Sequence, residues 1–167
     1  MRIDIKDTLE ALDKAKCLEQ EGQDFYHQAA ERATSQRARD TFLSLAREEA
    51  MHLRLIQRQI NSLSQQGKWL DLDETKGEKC DLSESIFPKG RVGLEKAVKA
   101  HTTETDALLL ALEFEVRSYD LYRSAAKEAT DAAAREMYEF LATQERLHFD
   151  LLMSNYEATE QFGGWQD

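Results

Sequence analysis

Residues Ala11–Ile60 of this chain align without a gap on Ala107–Tyr156, with 17 identities in 50 positions at a constant offset of 96. Self-similarity at one fixed spacing marks a duplicated structural unit. The duplication limits the fold severely. A solenoid needs at least about three units to cover its faces, so two copies must bury their apolar sides against each other. A chain of 167 residues has room for one such core and not comfortably for two.

Within each copy, apolar and small residues recur at helical spacing. Leu12, Ala15, Leu18, Phe25, Tyr26, Ala29 and Ala30 form one stripe, and Phe42, Leu45, Ala46, Met51, Leu53, Leu55 and Ile56 form the next. Asp7 followed by Glu10 reads as an N-cap with its capping partner, Ser35 and Asp131 as further helix starts, and Gly67 as a stop. Ala, Leu, Glu, Gln, Lys and Arg dominate, the residues that cost least in a helix. The pattern predicts helices over about 7–33, 35–65, 103–129 and 131–158. Residues 66–102 hold the only proline, Pro88, and four of the seven glycines, without sustained periodicity. They read as a long crossover with a short helix over Leu94–Ala100. The expected fold is all-α: a single ferritin-like four-helix bundle made of two duplicated antiparallel hairpins joined by that crossover.

A formal charge of -10 with no basic stripe argues against nucleic acid or an anionic membrane as a partner. No window reaches the roughly 18 apolar residues of a membrane span, and the start, MRIDIKDTLE, has no apolar run of signal-peptide length. A cytoplasmic protein is expected. Cys17 and Cys80 are isolated, so neither a disulfide framework nor a thiolate metal knuckle is indicated.

Two of the four histidines follow a glutamate by three residues, in Glu49-x-x-His52 and in Glu145-x-x-His148, and the two pairs are repeat mates. Residues three apart share a helix face, so each pair can offer two ligands to one point. In an antiparallel hairpin turning at Thr34, Glu19 stands level with Glu49; in one turning at Thr130, Glu115 stands level with Glu145. The duplication then brings four carboxylates and two imidazoles together in the bundle centre. Buried without cations, such a cluster loses several kcal/mol of hydration per charge and repels itself. Two divalent metals largely neutralise it. Carboxylate and imidazole donors without thiolate suit iron or manganese, with zinc also able to bind. Tyr26 and Tyr122 lie seven residues after Glu19 and Glu115, on the same faces and about 10 Å along the axis, and could each donate a hydrogen bond to a carboxylate.

The segments LEQEGQDFY, REEAMH, LEFEVRSYDLY and QERLH, about 100 of the 167 residues with their surroundings, resemble the rubrerythrin-like branch of the ferritin superfamily. The resemblance implies a non-haem di-iron centre. Glu49 and Glu145 would bridge the two irons, Glu19 and Glu115 would be terminal carboxylates, and His52 and His148 would each cap one iron. It also implies an oxidoreductase that reduces hydrogen peroxide. Rubrerythrins carry a further ligand glutamate three residues after the third-helix one, where this chain has Ser118, and a rubredoxin domain with four cysteines, which is not found here. Electrons are therefore expected from a separate protein such as a rubredoxin. Relatives assemble, so a homo-oligomer, with a dimer favoured, is expected. Two other readings stand beside this one: an iron-oxidising storage or iron-handling protein with oxygen as oxidant, and a structural metal site without turnover.

Neighbouring acids complicate the assignment. Glu48, Glu21 and Glu113 lie about 100° or 200° around their helices from the ligand candidates and are expected to face solvent. Asp24 and His27 repeat the acid-x-x-His spacing off the ligand face and read as a surface pair. His101 has no acidic partner at that spacing. The tail Phe162–Trp165, FGGW, is expected to dock an aromatic on the bundle.

Overall fold

A computed structural model describes residues 5–75 and 104–162. Four long helices account for most of them: α1 Ile5–Arg32, α2 Gln36–Gln66, α4 Glu104–Glu128 and α5 Ala132–Phe162, with a single-turn α3 over Leu72–Thr75. There is no strand among the described residues, and the arrangement is the expected four-helix bundle of two hairpins. α1 packs along α2 and α4 along α5; the hairpins meet where α1 lies against α4, and α3 rests on α5.

Short polar residues set the turns. Ser35 caps α2, its hydroxyl accepting from the Ala38 N–H at 3.1 Å, and Asp131 caps α5, accepting from Ala133 N–H at 2.8 Å and Ala134 N–H at 3.2 Å. An arginine staples each turn in the same way. Arg39 donates to the carbonyl of Ala33, and its repeat mate Arg135 donates to that of Ala129. The first turn is tied to the second hairpin by Glu104, whose Oε1 accepts from Thr34 N–H, Thr34 hydroxyl and Ser35 N–H. Gly67 ends α2 in the left-handed region at φ 64°, its N–H reaching the Leu63 carbonyl.

The observed ends depart from expectation in three places. α1 starts at Ile5, so Asp7 lies in its first turn instead of capping it, where its charge still favours the helix dipole. α5 runs on to Phe162, because no breaker precedes Gly163 and Gly164. α3 had no signal longer than one turn. The expected helix over Leu94–Ala100, Cys80, His101 and the side chains of the FGGW tail lie outside the described residues.

The core has two apolar lobes. One holds Phe25, Phe42, Leu45, Leu108, Ala111 and Leu152; the other holds Leu12, Ile56, Leu63, Met137, Tyr138 and Leu141. Full burial of each large side chain contributes about 1.5–3 kcal/mol. Between the lobes the buried residues turn polar: Glu19, Glu49, His52, Glu115, Glu145 and His148. No described helix is long and apolar enough to cross a membrane.

Candidate metal centre

Each long helix carries its share of the polar layer at a position where the helical stripe faces the bundle axis. All six candidate side chains are there, each in a residue only 1 to 3% exposed. His52 Nδ1 lies 2.9 Å from Glu145 Oε1, 3.3 Å from Glu19 Oε2 and 3.4 Å from Glu49 Oε2. His148 Nδ1 lies 3.2 Å from Glu49 Oε1, 3.5 Å from Glu115 Oε2 and 4.0 Å from Glu145 Oε2. The two imidazoles stack with centroids 5.4 Å apart. Two overlapping groups result, Glu19–Glu49–His52–Glu145 and Glu49–Glu115–Glu145–His148, with the donor atoms of each within 4.8 Å of one another. Glu49 and Glu145 belong to both.

These atoms converge on points between them and not on each other. Glu19 Oε2, His52 Nδ1, Glu115 Oε2, Glu145 Oε1 and His148 Nδ1 are buried without a partner at hydrogen-bond geometry. Buried polar atoms are ordinarily satisfied, so five such donor and acceptor atoms aimed at one centre fit the coordination of cations. The donor chemistry agrees. Four carboxylates carry four negative charges, which two divalent ions balance, and all the donors are oxygen or imidazole nitrogen.

A family model described as rubrerythrin matches residues 10–156. The chain belongs to the rubrerythrin family. Comparison with curated proteins and with solved structures finds no match. The rubrerythrin family is a di-iron one, and its membership points to oxidoreductase chemistry in general; the buried Glu and His groups can hold metal ions. Where rubrerythrins resembling this chain have a further glutamate, the buried residue is Ser118, and its repeat mate is Gly22. A Cβ at Gly22 would sit 3.6 Å from Glu49 Cγ and Cδ, an ordinary contact.

The polar residues around the rubrerythrin-type cluster are arranged crosswise. The Tyr26 hydroxyl donates to Glu115 and the Tyr122 hydroxyl to Glu19, each reaching the carboxylate of the other hairpin. Its own glutamate is too far along the axis, whereas α1 and α4, antiparallel, bring Tyr26 level with Glu115 and Tyr122 level with Glu19. Glu48 corrects the sequence reading. It is half-buried, and its Oε2 lies 2.8 Å from His148 Nε2. The carboxylate can only accept when ionised, so Nε2 carries a proton and Nδ1 is the nitrogen left to offer a lone pair to a metal in the centre. The signal was in the sequence: a step of about 100° back from Glu49 points toward α5, not to solvent. Its repeat mate is Gln144, which cannot supply that charge. Glu113 and His27 are exposed and Glu21 and Asp24 partly so, all apart from the two groups.

Without metal the cluster holds protons instead. Burial, then the charge of Glu49, pushes the Glu19 carboxyl up to about 8. Burial and the charges of Glu49 and Glu19 likewise raise Glu145. For His52 burial opposes the charge, but Glu19 and Glu145 outweigh it and hold the imidazolium; His148 is pushed up to about 12 as Glu115, Glu48 and Glu49 overcome burial. Glu49 goes the other way: burial raises it, but the proton held by Glu19 and the imidazolium groups of His148 and His52 close by outweigh burial and keep it ionised. Burial raises both tyrosines, so their phenols stay protonated and donate.

Proposed function

We propose that this protein is a di-iron peroxidase that reduces hydrogen peroxide with electrons from an external one-electron donor protein such as a rubredoxin. The observation that supports it is the pair of overlapping four-residue groups sharing Glu49 and Glu145. On this reading Glu49 and Glu145 would serve both metals, His52 and Glu19 would hold one, and His148 and Glu115 would hold the other, with manganese or zinc as substitutes. When bound, two iron ions supply one electron each to a two-electron oxidant. Reduction of one peroxide takes two electrons and two protons and releases two waters.

The chain's own groups orient and shield that chemistry. Glu48 fixes the tautomer of His148, and the phenols of Tyr26 and Tyr122 hold protons against Glu115 Oε1 and Glu19 Oε1. The apolar lobes on either side favour small oxidants over bulky organic molecules. The two cysteines of the sequence are too few to hold a four-thiolate iron site among these 167 residues, and on this reading electrons arrive from a separate protein. Cytoplasmic location, a role in oxidative stress and a homodimer belong to the same proposal.

Mixing anaerobically reduced protein with peroxide or with oxygen tests it. Peroxide is expected to oxidise the iron faster; equal or faster oxidation by oxygen would remove the peroxidase assignment. Loading with excess Fe2+ separates the storage alternative, because a catalytic site retains about two irons per chain and a storage shell many more.

A further inference from the structure

Among the described residues, the ring packed against Tyr122 is a tyrosine that leads on to a tryptophan, whereas the rings packed against Tyr26 are phenylalanines. Tyr122, fully buried, donates to Glu19 and stacks on Tyr138 with centroids 6.3 Å apart and planes 24° apart. Tyr138 in turn meets Trp69 edge-on at 6.2 Å. Trp69 is only partly buried and belongs to the segment that follows α2. Buried side chains hold that segment in place. Gln59, 0% exposed, gives both ends of its amide to Leu70, donating to its carbonyl at 2.8 Å and accepting from its N–H at 2.9 Å. Ser62 donates to the Lys68 carbonyl at 2.7 Å. The backbone on both sides of Trp69 is thus pinned.

The duplicated half differs at the first ring. Tyr26 occupies the place of Tyr122 and donates to Glu115, but the ring stacked on it, at 6.2 Å, is Phe42, the repeat mate of Tyr138. Its other ring neighbour is Phe25, which leads to Phe114. Phenylalanine has no oxidation potential that a protein reaches, so an electron vacancy on Tyr26 stays there. Tyrosine and tryptophan can both be oxidised and restored. Packing alone explains an aromatic lobe; it does not explain why, among the described residues, the rings in contact with Tyr122 continue as oxidisable ones to a partly exposed tryptophan.

We infer that Trp69, Tyr138 and Tyr122 form a relay that carries single electrons from the protein surface to the metal centre. The inference rests on the proposed redox role of that centre. Electron transfer falls off exponentially with separation, and two steps between touching rings replace one long jump through aliphatic core. Each ring is oxidised by its neighbour nearer the centre and reduced by its neighbour nearer the surface, so none changes on balance. The electron originates in the one-electron donor and ends at the centre. As Tyr122 loses its electron, its proton shifts along the hydrogen bond to Glu19 Oε1, and it returns when the ring is refilled. Tyr138 lines a cleft of about 390 Å³ together with Glu10, Lys14 and Glu128, where solvent takes and returns its proton.

Pulse radiolysis tests the relay without turnover. Azide radicals oxidise tryptophan in preference to tyrosine, and a Trp165→Phe background leaves Trp69 as the sole tryptophan. In zinc-loaded protein the tryptophanyl absorption is expected to decay as tyrosyl absorption rises, at a rate independent of protein concentration. Tyr138→Phe, which removes one hydroxyl and preserves the packing, is expected to slow that conversion about tenfold or more, an added barrier of about 1.4 kcal/mol. Tyr156→Phe, in the other lobe, is expected to leave it unchanged. In anaerobic iron(II)-loaded protein the same pulse runs the relay in reverse, drawing one electron outward from the iron through the same rings, and is expected to end in an iron(III) EPR signal, which Tyr122→Phe delays by a similar factor. Unchanged conversion in Tyr138→Phe, or an unchanged rate of iron oxidation in Tyr122→Phe, would overturn the relay. Either result leaves the peroxide and oxygen comparison untouched, and that comparison can fail with the relay intact.

Discussion

His148 faces two ways: Nδ1 looks onto the orphaned carboxylates and Nε2 onto Glu48. That division makes residue-level predictions unequal. Glu145→Ala removes a group that stands in both donor sets and is expected to abolish most metal binding, read as metal content after dialysis. Content equal to the parent's would remove Glu145 from the centre. Glu48→Ala leaves every donor in place and frees the imidazole to turn, so about 10–100-fold weaker binding is expected by competition with a chelator. A pH dependence follows as well. In metal-free protein Glu19 is raised from 4.5 to about 8 and His148 from 6.5 to about 12. An acid with a raised pKa loses its contribution as pH climbs between the two values, and a raised histidine loses its own as pH climbs toward the folded value. Glu145 and His52 act with the same signs, while the contribution of lowered Glu49 is lost only on acidification. Metal-free protein is therefore expected to melt at lower temperature at pH 8 than at pH 5; a rise over that interval would contradict the electrostatics. The meeting of the six candidate side chains in the core was legible in the sequence because the repeat showed each of them twice. Glu48 was legible only through its angle, because its repeat mate is Gln144 and the duplication does not show it twice.

At the scale of elements, the helices were legible because the chain repeats its own punctuation. Ser35 and Asp131 cap, and Arg39 and Arg135 staple, at equivalent positions. The end of α5 and the one-turn α3 were not legible: the first had no breaker where periodicity weakened, and a single turn has no period to read. Nor could spacing along one helix show that each tyrosine serves the opposite hairpin, since that depends on the register of α1 against α4. Gly22 gives a test of helix energetics separate from the chemistry. It is buried within α1, and the Cβ of an alanine meets Glu49 only at contact distance. Gly22→Ala is expected to stabilise the protein by about 0.5–1 kcal/mol in chemical denaturation, with metal content unchanged. Loss of metal in that variant would mean that Glu49 needs the space.

For the whole molecule, the arrangement is two apolar lobes held apart by a charged layer. The duplication explains it: each hairpin brings half of the layer, and neither half is complete without the other. The lobes supply the burial that holds the helices together, and they also force the acids of the middle layer to face one another out of water. A fold of this kind is stable only if something in the centre answers that charge, protons at low pH or cations at neutral pH. The most direct measurement is anomalous diffraction from crystals grown anaerobically with iron. Two peaks are expected between the lobes, one coordinated by His52 Nδ1 and the other by His148 Nδ1, with Glu49 and Glu145 reaching both. A centre without anomalous signal, or iron found only on outer carboxylates, would contradict the account.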